Sequence, residues 1–548
     1  MLNKSRLLFA CVITCTLFLQ YLPAQEDGNA QEPNQETETL PEPEKAPAAV
    51  DAALQRNFTI VQSVHRNDLN PHTASYSSEA QILSGLFEGL FSYDPVTLDP
   101  RPAVAVDYHL SRNKLRWTFT LRDDAKFSNG EPITADTVKE SWLGLLANPD
   151  ASYASLFDMV KGAKEFRSGK TSRDDVGIIV RDEKTIVLQL VSPASHLPRI
   201  LCHHAFSVVN KDPSVTSGAF VISENTDKKL VMTKNKNYWD ADNVYIPQIT
   251  VIQSDDVKEN AFMFNTGAAD WVADAIDINS MLAHNSIRIH AEYGTQYLFF
   301  KNSGSKDSES PWDNPDFRNA LLTAVPWADL RKGSFVPATT FVYPIGNYPA
   351  VNGFNYTDSL EAADLMKEAR EKASIPADKE LPLVFAVIDT KYMIEEAELL
   401  KKAWEPLGVA VSIEKIPAQD YLESIADRKA DLFSYTWIGD FADPLAMLEL
   451  FRGNSTLNPS RWSNTEFDSL LDKAAASSSD EEHLKLLSDA EQLLLDSGEV
   501  LPVSHPVSLH AIDLGSTGGW SVNALDLHPL KYLYFKHKTV KIPNLVLR

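Results

Sequence analysis

The sequence predicts an α/β protein, and two patterns carry that prediction. From Lys301 onward, segments with apolar residues at helical spacing alternate with short runs rich in β-branched and aromatic residues. Such alternation is typical of α/β order with a largely parallel sheet. Before Lys301, strictly alternating runs such as Trp117–Leu121 and turn sequences such as Ser128–Gly130 indicate strands and hairpins.

The first half of the chain holds the predicted hairpins. Asp182 and Glu183 separate two strand-like runs, as a hairpin turn requires, and Thr134 has the right chemistry to cap a helix that runs to about Leu146. The other elements predicted before Lys301 are a helix at 78–90 and strands at 58–64, 117–121, 176–180, 185–190, 219–222 and 230–233.

The second half of the chain holds the alternating helices and strands. The predicted helices lie at 317–325, 360–373, 394–404, 421–429 and 480–495. The predicted strands lie at 383–388, 409–413, 432–438 and 501–512. The sequence shows no internal repeat, which argues against a solenoid or a propeller.

Residues 1–24 predict a secretory signal peptide. A basic start precedes the apolar run Leu7–Leu22, and Ala24 offers a small residue at the cleavage point. The stretch that ends at Cys11 also resembles a lipoprotein cleavage box, but the apolar run before it is short for that signal, so acylation of Cys11 stays open. Residues 25–50 are acidic and rich in proline, which predicts a disordered tether.

Composition narrows the class of protein. The chain has 548 residues, of which 44% are apolar, so it can bury a large core. Its net charge of −24 argues against nucleic acid or anionic lipid headgroups as partners. Removal of the signal peptide leaves only Cys202, so no intrachain disulfide is predicted, and Cys202 is expected to be a small buried apolar residue.

The most informative segment is Tyr435–Pro444. Residues 431–438 predict a strand, Gly439 frees the backbone to turn, and the carboxylate of Asp440 follows shortly after the indole of Trp437. If Asp440 lies in a dry cleft, it needs a cation beside it, because an unpaired buried charge is very costly. A ligand ammonium would serve, with Trp437 over its apolar flank. The alternative is a capped strand end with Asp440 in water.

Motifs for catalysis and for metal or phosphate binding are missing from the sequence. There is no Gly-x-Ser-x-Gly elbow and no His-Glu-x-x-His helix. Gly169-Lys170-Thr171 imitates the end of a phosphate loop, but the preceding glycine has the wrong spacing. His203 and His204 would face opposite ways on a strand and would not easily share one ion. We therefore predict no enzyme, no cofactor and no metal.

Six blocks of the sequence resemble the oligopeptide-binding proteins of bacterial ABC importers, which are extracellular solute-binding proteins of family 5. In chain order the blocks are Gly85–Leu90, Trp117–Gly130 with Pro132–Ala135, Ser217–Phe220, Asn237–Asp240, Trp437–Pro444 and Trp462–Asp468. Together they extend over nearly the whole chain from about Asn57 to the C-terminus.

The resemblance implies a two-lobed periplasmic-binding-protein type II fold with mixed sheets, an extra subdomain and the ligand in the cleft between the lobes. Lobe 1 would comprise 51–78, 202–300 and 513–548, with a family-specific subdomain of residues 79–201 packed on it. Lobe 2 would comprise 301–512. The lobes would be hinged by crossing strands, close over a solute and deliver it to a membrane permease.

The resemblance also implies the residues that bind the ligand. Asp440 would pair with the α-ammonium of a peptide, and Trp437 matches the tryptophan of the same segment. Thr436 and Ile438 would offer backbone groups to an extended peptide. Some peptide binders place an arginine for the peptide carboxylate where this chain has Ser434, so the way that the carboxylate end is held stays open.

On the opposite wall, the resemblance implies backbone contacts from His65, Arg66 and Asn67, and Tyr153 matches a tyrosine near the cleft mouth. The expected partners are a short peptide and the permease of an ABC importer, with no nucleic acid. The expected form is an exported, periplasmic or extracytoplasmic monomer, anchored by lipid if Cys11 is acylated.

Other interpretations of the same sequence stay open. Receptors with this fold also bind oligosaccharides, metal chelates or opine-like compounds, so the fold does not determine the solute. An exported hydrolase built from distant acids, or an adhesin, would be a different class of protein. A hydrolase would cleave its ligand with time, and an adhesin would need an exposed apolar patch outside the cleft.

Overall fold

The computed structural model describes residues 55–537 except Arg66, Ser75, Ser152, 304–309, 418–419, 422–424, 426–427, Asp440, Asn454, 456–457 and Ser478. The predicted signal peptide, Cys11, the tether, Arg66, Asp440 and most of the predicted helix at 421–429 lie outside the described residues. Among the helices that are described, none has the length and apolarity to cross a membrane.

The strands are numbered in chain order. They are β1 (Phe58–Gln62), β2 (Phe91–Tyr93), β3 (Pro100–Pro102), β4 (Ala105–Leu110), β5 (Arg116–Leu121), β6 (Ile178–Asp182), β7 (Thr185–Gln189), β8 (Phe220–Thr226), β9 (Lys229–Lys234), β10 (Gln248–Gln253), β11 (Trp271–Val272), β12 (Ile287–Ala291), β13 (Gly294–Phe300), β14 (Leu381–Ile388), β15 (Val409–Ile416), β16 (Leu432–Ile438), β17 (Val500–Ser504), β18 (Val507–Ile512), β19 (Thr517–Gly518) and β20 (Tyr534–Phe535).

The α-helices are numbered in the same way. They are α1 (Ser77–Leu86), α2 (Ala135–Ala147), α3 (Ala163–Arg167), α4 (Leu197–Ile200), α5 (Val257–Thr266), α6 (Pro315–Thr323), α7 (Trp327–Leu330), α8 (Ser359–Lys372), α9 (Lys391–Trp404), α10 (Leu445–Leu448), α11 (Thr465–Ala476) and α12 (Asp480–Asp496).

Local chemistry determines where two of these helices begin or end. The hydroxyl of Thr134 accepts the N–H of Thr137, so Thr134 caps α2 as predicted. Helix α1 ends at Leu86, before the predicted end at residue 90, because Phe87 turns to an extended conformation. The backbone of Gly218 packs against this helix end, and its N–H donates to the C=O of Leu86 at 2.8 Å.

The first lobe is built on a seven-stranded sheet with the order β12-β18-β11-β1-β10-β9-β8. Strand β1 is central and pairs in parallel with β10 and β11, and the outer strands pair antiparallel. Helix α1 and the last turns of the chain cover one face of this sheet, where Phe58, Leu86, Phe220 and Leu530 are buried in one core.

The second lobe is built on a five-stranded sheet with the order β15-β14-β16-β13-β17. Strand β14 pairs in parallel with β15 and β16, but β13 pairs antiparallel with β16 and β17. The prediction of a largely parallel sheet is therefore wrong for this half. Parallel neighbours need a crossover connection, usually a helix, between strands of the same sheet. Strands β13 and β17 instead connect directly to β12 and β18 of the first sheet.

Two short segments connect the lobes. Glu292 and Tyr293 join β12 to β13, and His505 and Pro506 join β17 to β18, which breaks the strand predicted at 501–512. The N–H of Glu292 donates to the C=O of Pro506 at 2.8 Å, so the two crossings lie side by side. We therefore propose that the lobes divide at these residues rather than after 300 and 512 as predicted.

A four-stranded antiparallel sheet, β4-β5-β7-β6, lies within the predicted subdomain of residues 79–201. This part of the chain is linked to the first lobe by Ser141 on α2, whose hydroxyl accepts the N–H of Val209 at 2.9 Å. It also contacts the second lobe, because the ammonium of Lys114 donates to the C=O of Ser477 at 2.9 Å. This part of the chain therefore touches both lobes, and its assignment to lobe 1 stays a prediction.

Candidate functional site

A cleft lies where the two lobes meet. One wall comes from α1 and the turn after it, and the other includes the end of β16. The residues that line it are Tyr76, Ser77, Ala80, Leu83, Ser84, Phe87, Glu88, Gly89, Phe91, Ser92, Tyr93, Tyr153, Cys202, His203, His204, Ser207, Ile438, Gly439, Leu525, Asp526, Leu527 and Pro529. A concave space between two lobes is a common place for a small solute to bind.

Strand β16 has one open edge near this cleft. Strand β13 pairs with β16 along its whole length, whereas β14 pairs only with Leu432 and Phe433. At the next residue, Ser434, the N–H donates to the hydroxyl oxygen of Tyr421 at 2.9 Å, and the C=O accepts from the same hydroxyl at 2.8 Å. Beyond Ser434 no described strand covers that side of β16.

The backbone groups of Thr436 and Ile438 point to this open edge. Along a strand, successive residues direct their N–H and C=O groups to opposite sides. The backbone N–H and C=O of Ser434 point away from β13. The N–H of Gly439 points to the β13 side, where it donates to the C=O of Tyr293 at 2.7 Å. Thr436 and Ile438 therefore share the side of Ser434, as an added peptide strand would need.

Trp437 is engaged within its own segment. Its side chain is buried, its indole N–H donates to the C=O of Ala446 at 3.1 Å, and its ring stacks on Tyr435. Trp437 does not belong to the residues that line the cleft. In this arrangement the indole binds the protein's own backbone beyond the end of β16. A contact between the indole and a ligand ammonium therefore stays a prediction.

The carboxylate that the structure describes in this segment is Asp443. It is buried, with Nε2 of His483 at 2.9 Å and Nη1 of Arg199 at 3.8 Å. Burial alone would raise its pKa, but His483 and the neighbouring positive groups hold the pKa of the Asp443 carboxyl below its ordinary value. Asp443 is therefore already paired with positive groups of the protein itself. Asp440 lies outside the described residues.

Tyr153 lines the cleft together with two histidines. The ring of Tyr153 lies 4.2 Å from that of His203 and 5.8 Å from that of His204. The two histidines were expected to face opposite ways on a strand, but residues 204–206 form a 3-10 turn and the two rings lie 4.1 Å apart. Burial lowers the pKa of both histidines, to about 4 for His204, so both are neutral near pH 7.

His65 and Asn67 lie behind the cleft wall rather than on it. Nε2 of His65 lies 2.9 Å from a carboxylate oxygen of Glu79, and its ring packs on Tyr76, which lines the cleft. Oδ1 of Asn67 accepts from the amide of Gln62 at 3.3 Å. The side chains of this loop therefore serve the first lobe, and its backbone contacts to a ligand stay a prediction, as does the role of Arg66.

Gly439 is required for a steric reason, which the sequence did not show. A Cβ at this position would lie 2.4 and 2.5 Å from two ring carbons of Tyr293. Tyr293 cannot move easily, because it is fully buried and its hydroxyl donates to the C=O of Asp443 at 2.8 Å.

We expect Gly439→Ala to lower the free energy of unfolding by about 1–3 kcal/mol, because overpacking beside a buried ring forces backbone shifts. Urea unfolding measures this effect. Gly144→Ala is the matched control, since a Cβ there would make an ordinary contact at 3.6 Å with His72. Equal stability of the Gly439→Ala variant and the wild type would contradict the steric role.

Sequence reasoning missed the charged groups of the first-lobe wall. Glu88 lies in the block Gly85–Leu90 and forms a buried ion pair with Lys531, at 2.6 Å, beside the hydroxyl of Tyr238. Burial would lower the pKa of Lys531, but Glu88 outweighs it and raises that pKa. Asp526, near the C-terminus, also lines the cleft. No local signal links Glu88 to Lys531, because they are 443 residues apart.

Comparison with known sequences gives consistent matches. The family model of the bacterial extracellular solute-binding proteins, family 5 middle part, matches residues 99–459. The dipeptide-binding protein DppE of Bacillus subtilis is 26% identical over 490 residues, covering 83% of this chain and 87% of that protein. The periplasmic oligopeptide-binding protein OppA of Salmonella typhimurium is 25% identical over 525 residues, covering 90% and 95%.

Solved structures share the fold. The unliganded open form of the periplasmic murein tripeptide-binding protein MppA superposes with a TM-score of 0.74 at 23% identity, covering 89% of this chain and 98% of that one. Haemophilus influenzae OppA in complex with the peptide RPPGFSPFR superposes with a TM-score of 0.67 at 20% identity, covering 88% and 99%. The two-lobed α/β fold predicted from the sequence is thereby confirmed.

Proposed function

Because the chain belongs to the bacterial extracellular solute-binding proteins of family 5, we propose that it is the receptor of an ABC importer for short peptides. It binds the peptide between its lobes and delivers it to the membrane permease. The names of DppE and OppA support peptides over oligosaccharides or metal chelates. Members of this family are solute receptors rather than enzymes, which agrees with the lack of catalytic motifs in the sequence.

The single observation that carries the proposal is the open edge of β16 at the cleft. Thr436 and Ile438 direct backbone groups to a side that no described strand covers, and Ile438 lines the cleft. An extended peptide that pairs with this edge gains main-chain hydrogen bonds without regard to its side chains. Asp440, just after Gly439, would then hold the peptide ammonium.

Closure of the cleft rests on the two crossing segments. In the described part of the chain, residues 292–293 and 505–506 are the covalent connections between the main sheets, so rotation about them can bring the walls together. A ligand that contacts both walls favours the closed state, and reopening at the permease releases it.

The place of action follows from the same proposal. Residues 1–24 act as a signal peptide, so the mature receptor lies in the periplasm or another extracytoplasmic space, with lipid attachment only if Cys11 is acylated. It acts as a monomer, and its net charge of −24 keeps it from nucleic acid.

Mass spectrometry of small molecules released from the denatured, purified protein tests the peptide assignment. We expect short peptides of varied sequence, because main-chain pairing selects length and termini more than side chains. Incubation of the protein with such peptides should leave them intact. A single sugar or metal chelate in place of peptides, or peptide cleavage with time, would contradict the proposal.

The Thr436→Pro substitution tests the role of the β16 edge. Proline removes the N–H that points to the open edge and places a ring there, while the bonds to β13 from Tyr435 and Trp437 stay. We expect peptide affinity, measured by calorimetry, to fall by about tenfold or more, since one hydrogen bond contributes about 0.5–1.5 kcal/mol and the ring blocks approach. Thr436→Val keeps the N–H and the side-chain shape and should bind as the wild type does. Unchanged affinity of a correctly folded Thr436→Pro protein would contradict pairing at this edge.

A further inference from the structure

The charged groups of the cleft wall are all acidic. Among the described residues that line the cleft there are two carboxylates, Glu88 and Asp526, and no lysine or arginine. Glu88 is neutralised by Lys531 at 2.6 Å. Asp526 has no lysine or arginine within ion-pair distance in the described part of the chain, so its charge is the one that a solute meets.

Three histidines hold the carboxylate of Asp526 in place. Nε2 of His510, of His528 and of His290 lie 2.8, 3.0 and 3.2 Å from the same oxygen, Oδ1. The other oxygen, Oδ2, has no hydrogen-bond partner among the described residues, and the side chain is 18% exposed. Asp526 has a positive φ of 51°, a backbone conformation that aspartate and asparagine tolerate better than most residues. One oxygen is thus fixed, and the other has no partner among the described residues of a side chain that lines the cleft.

Burial would lower the pKa of His510, but Asp526 and nearby carboxyls outweigh it and raise that pKa, so a protonated His510 would offset part of the charge of Asp526. The indole N–H of Trp271 donates to Nδ1 of His510 at 3.3 Å, an arrangement that needs Nδ1 unprotonated and places the proton of the neutral imidazole on Nε2, towards Asp526. Burial lowers the pKa of His528 to about 4, so His528 is neutral near pH 7. Burial, together with the charge of Asp526, raises the pKa of the nearby Glu292 carboxyl to about 8, which leaves Asp526 as the negative group of this cluster.

We propose that Asp526 is a cation-binding subsite of the cleft, which takes an ammonium or guanidinium group of the solute. The inference rests on the proposed function and adds a preference for cationic peptides. A carboxylate that is fixed by N–H donors at one oxygen and has no partner at the other presents a preorganised acceptor for such a group. Because the peptide amino terminus is assigned to Asp440, the cation expected at Asp526 is a lysine or arginine side chain.

A metal centre is a poor use of the same residues. His290, His510 and Asp526 lie close enough for three ligand atoms to share an ion. A histidine that binds a metal through Nε2 donates its other N–H to an acceptor. Nδ1 of His510 instead faces the indole N–H of Trp271, which is a donor, so the ring is held in the wrong tautomer for metal binding.

Calorimetry with matched tripeptides tests the subsite. The peptides carry lysine, or its uncharged counterpart norleucine, at each position in turn, and each is used with a free or an acetylated amino terminus. The variant is Asp526→Asn, which keeps an acceptor oxygen for the histidines and suits the positive φ. Asp227→Asn, in the exposed β8–β9 turn, is the control for the loss of one negative charge.

We expect Asp526→Asn to lose about tenfold in affinity for the cationic peptides and to keep its affinity for those without the relevant charge. The loss should follow lysine at one position and persist when the amino terminus is acetylated. A loss that disappears on acetylation would place the amino terminus at Asp526 and contradict its assignment to Asp440. Equal affinities of wild type and Asp526→Asn for every peptide would overturn the subsite, as would stabilisation by Zn²⁺ that the substitution abolishes. Failure of all peptides to bind the wild type would overturn the proposed function itself.

Discussion

Replacing Asp440 by asparagine is expected to weaken the binding of peptides with a free amino terminus by about 2–5 kcal/mol, the typical cost of removing one partner of a desolvated charge pair. This corresponds to a loss of about 30-fold to several thousandfold in affinity. Asp440 follows Ile438 and Gly439, which line the cleft, and the neighbouring Asp443 already has His483 and Arg199 as partners. Asp440 is therefore the carboxylate of this segment that we assign to the peptide ammonium.

Acetylated peptides provide the control for this prediction. They lack the ammonium, so the substitution should change their affinity little. Calorimetry of both peptide forms with wild type and Asp440→Asn gives a double-mutant cycle in which the coupling energy isolates the charge pair. An equal loss for free and acetylated peptides would show that Asp440 acts on the fold of the segment and not on the ammonium.

Glu396→Gln is expected to stabilise the protein increasingly as the pH rises. Glu396 is buried on α9, where one carboxylate oxygen accepts from the amide of Gln296 at 3.2 Å and the other, Oε1, has no partner among the described residues. Burial raises the pKa of the Glu396 carboxyl to about 8, although the bond from Gln296 opposes this. Near neutral pH, the Glu396 carboxyl therefore keeps its proton in the folded protein and loses it in the unfolded chain.

The sign of the effect follows from the two pKa values. The unfolded carboxyl ionises near its ordinary value of 4.5 and the folded one near 8, so the wild type loses free energy of unfolding across that window as the pH rises. Glutamine does not titrate, so the difference in stability between variant and wild type should grow by about 4 kcal/mol from pH 4.5 to pH 8 and then stay constant.

Urea unfolding of both proteins across this pH range measures the difference. Glu395→Gln is the matched control on the same helix, because it makes the same substitution at a side chain that is 66% exposed. A stability difference between Glu396→Gln and the wild type that does not change with pH would contradict a raised pKa for Glu396.

Much of the fold could be predicted from local patterns. The strand at 432–438 and the paired runs on either side of Asp182 follow from alternation and turn residues, and the structure has both. The blocks from Gly85 to Asp468 identified the family, and the family carried the two-lobed architecture. The prediction failed where long-range connection decides, as in the sheet of the second lobe, where β13 and β17 run antiparallel to their neighbours.

The candidate site shows the same division. Strand β16 and the position of Asp440 just after it come from the sequence, because side-chain alternation and turn chemistry are local properties. The steric need for Gly439 depends on Tyr293, and the cations of Asp443 come from Arg199 and His483, far away in the chain.

The sequence by itself determined the class of fold and the strand whose end carries the candidate acid, and it predicts an export signal. Only the tertiary structure decided which edge of β16 is open, which carboxylates already have partners, and that three histidines meet at Asp526. The physical reason is that hydrogen bonds and charge pairs act over a few ångströms, and folding alone determines which distant residues come within that range.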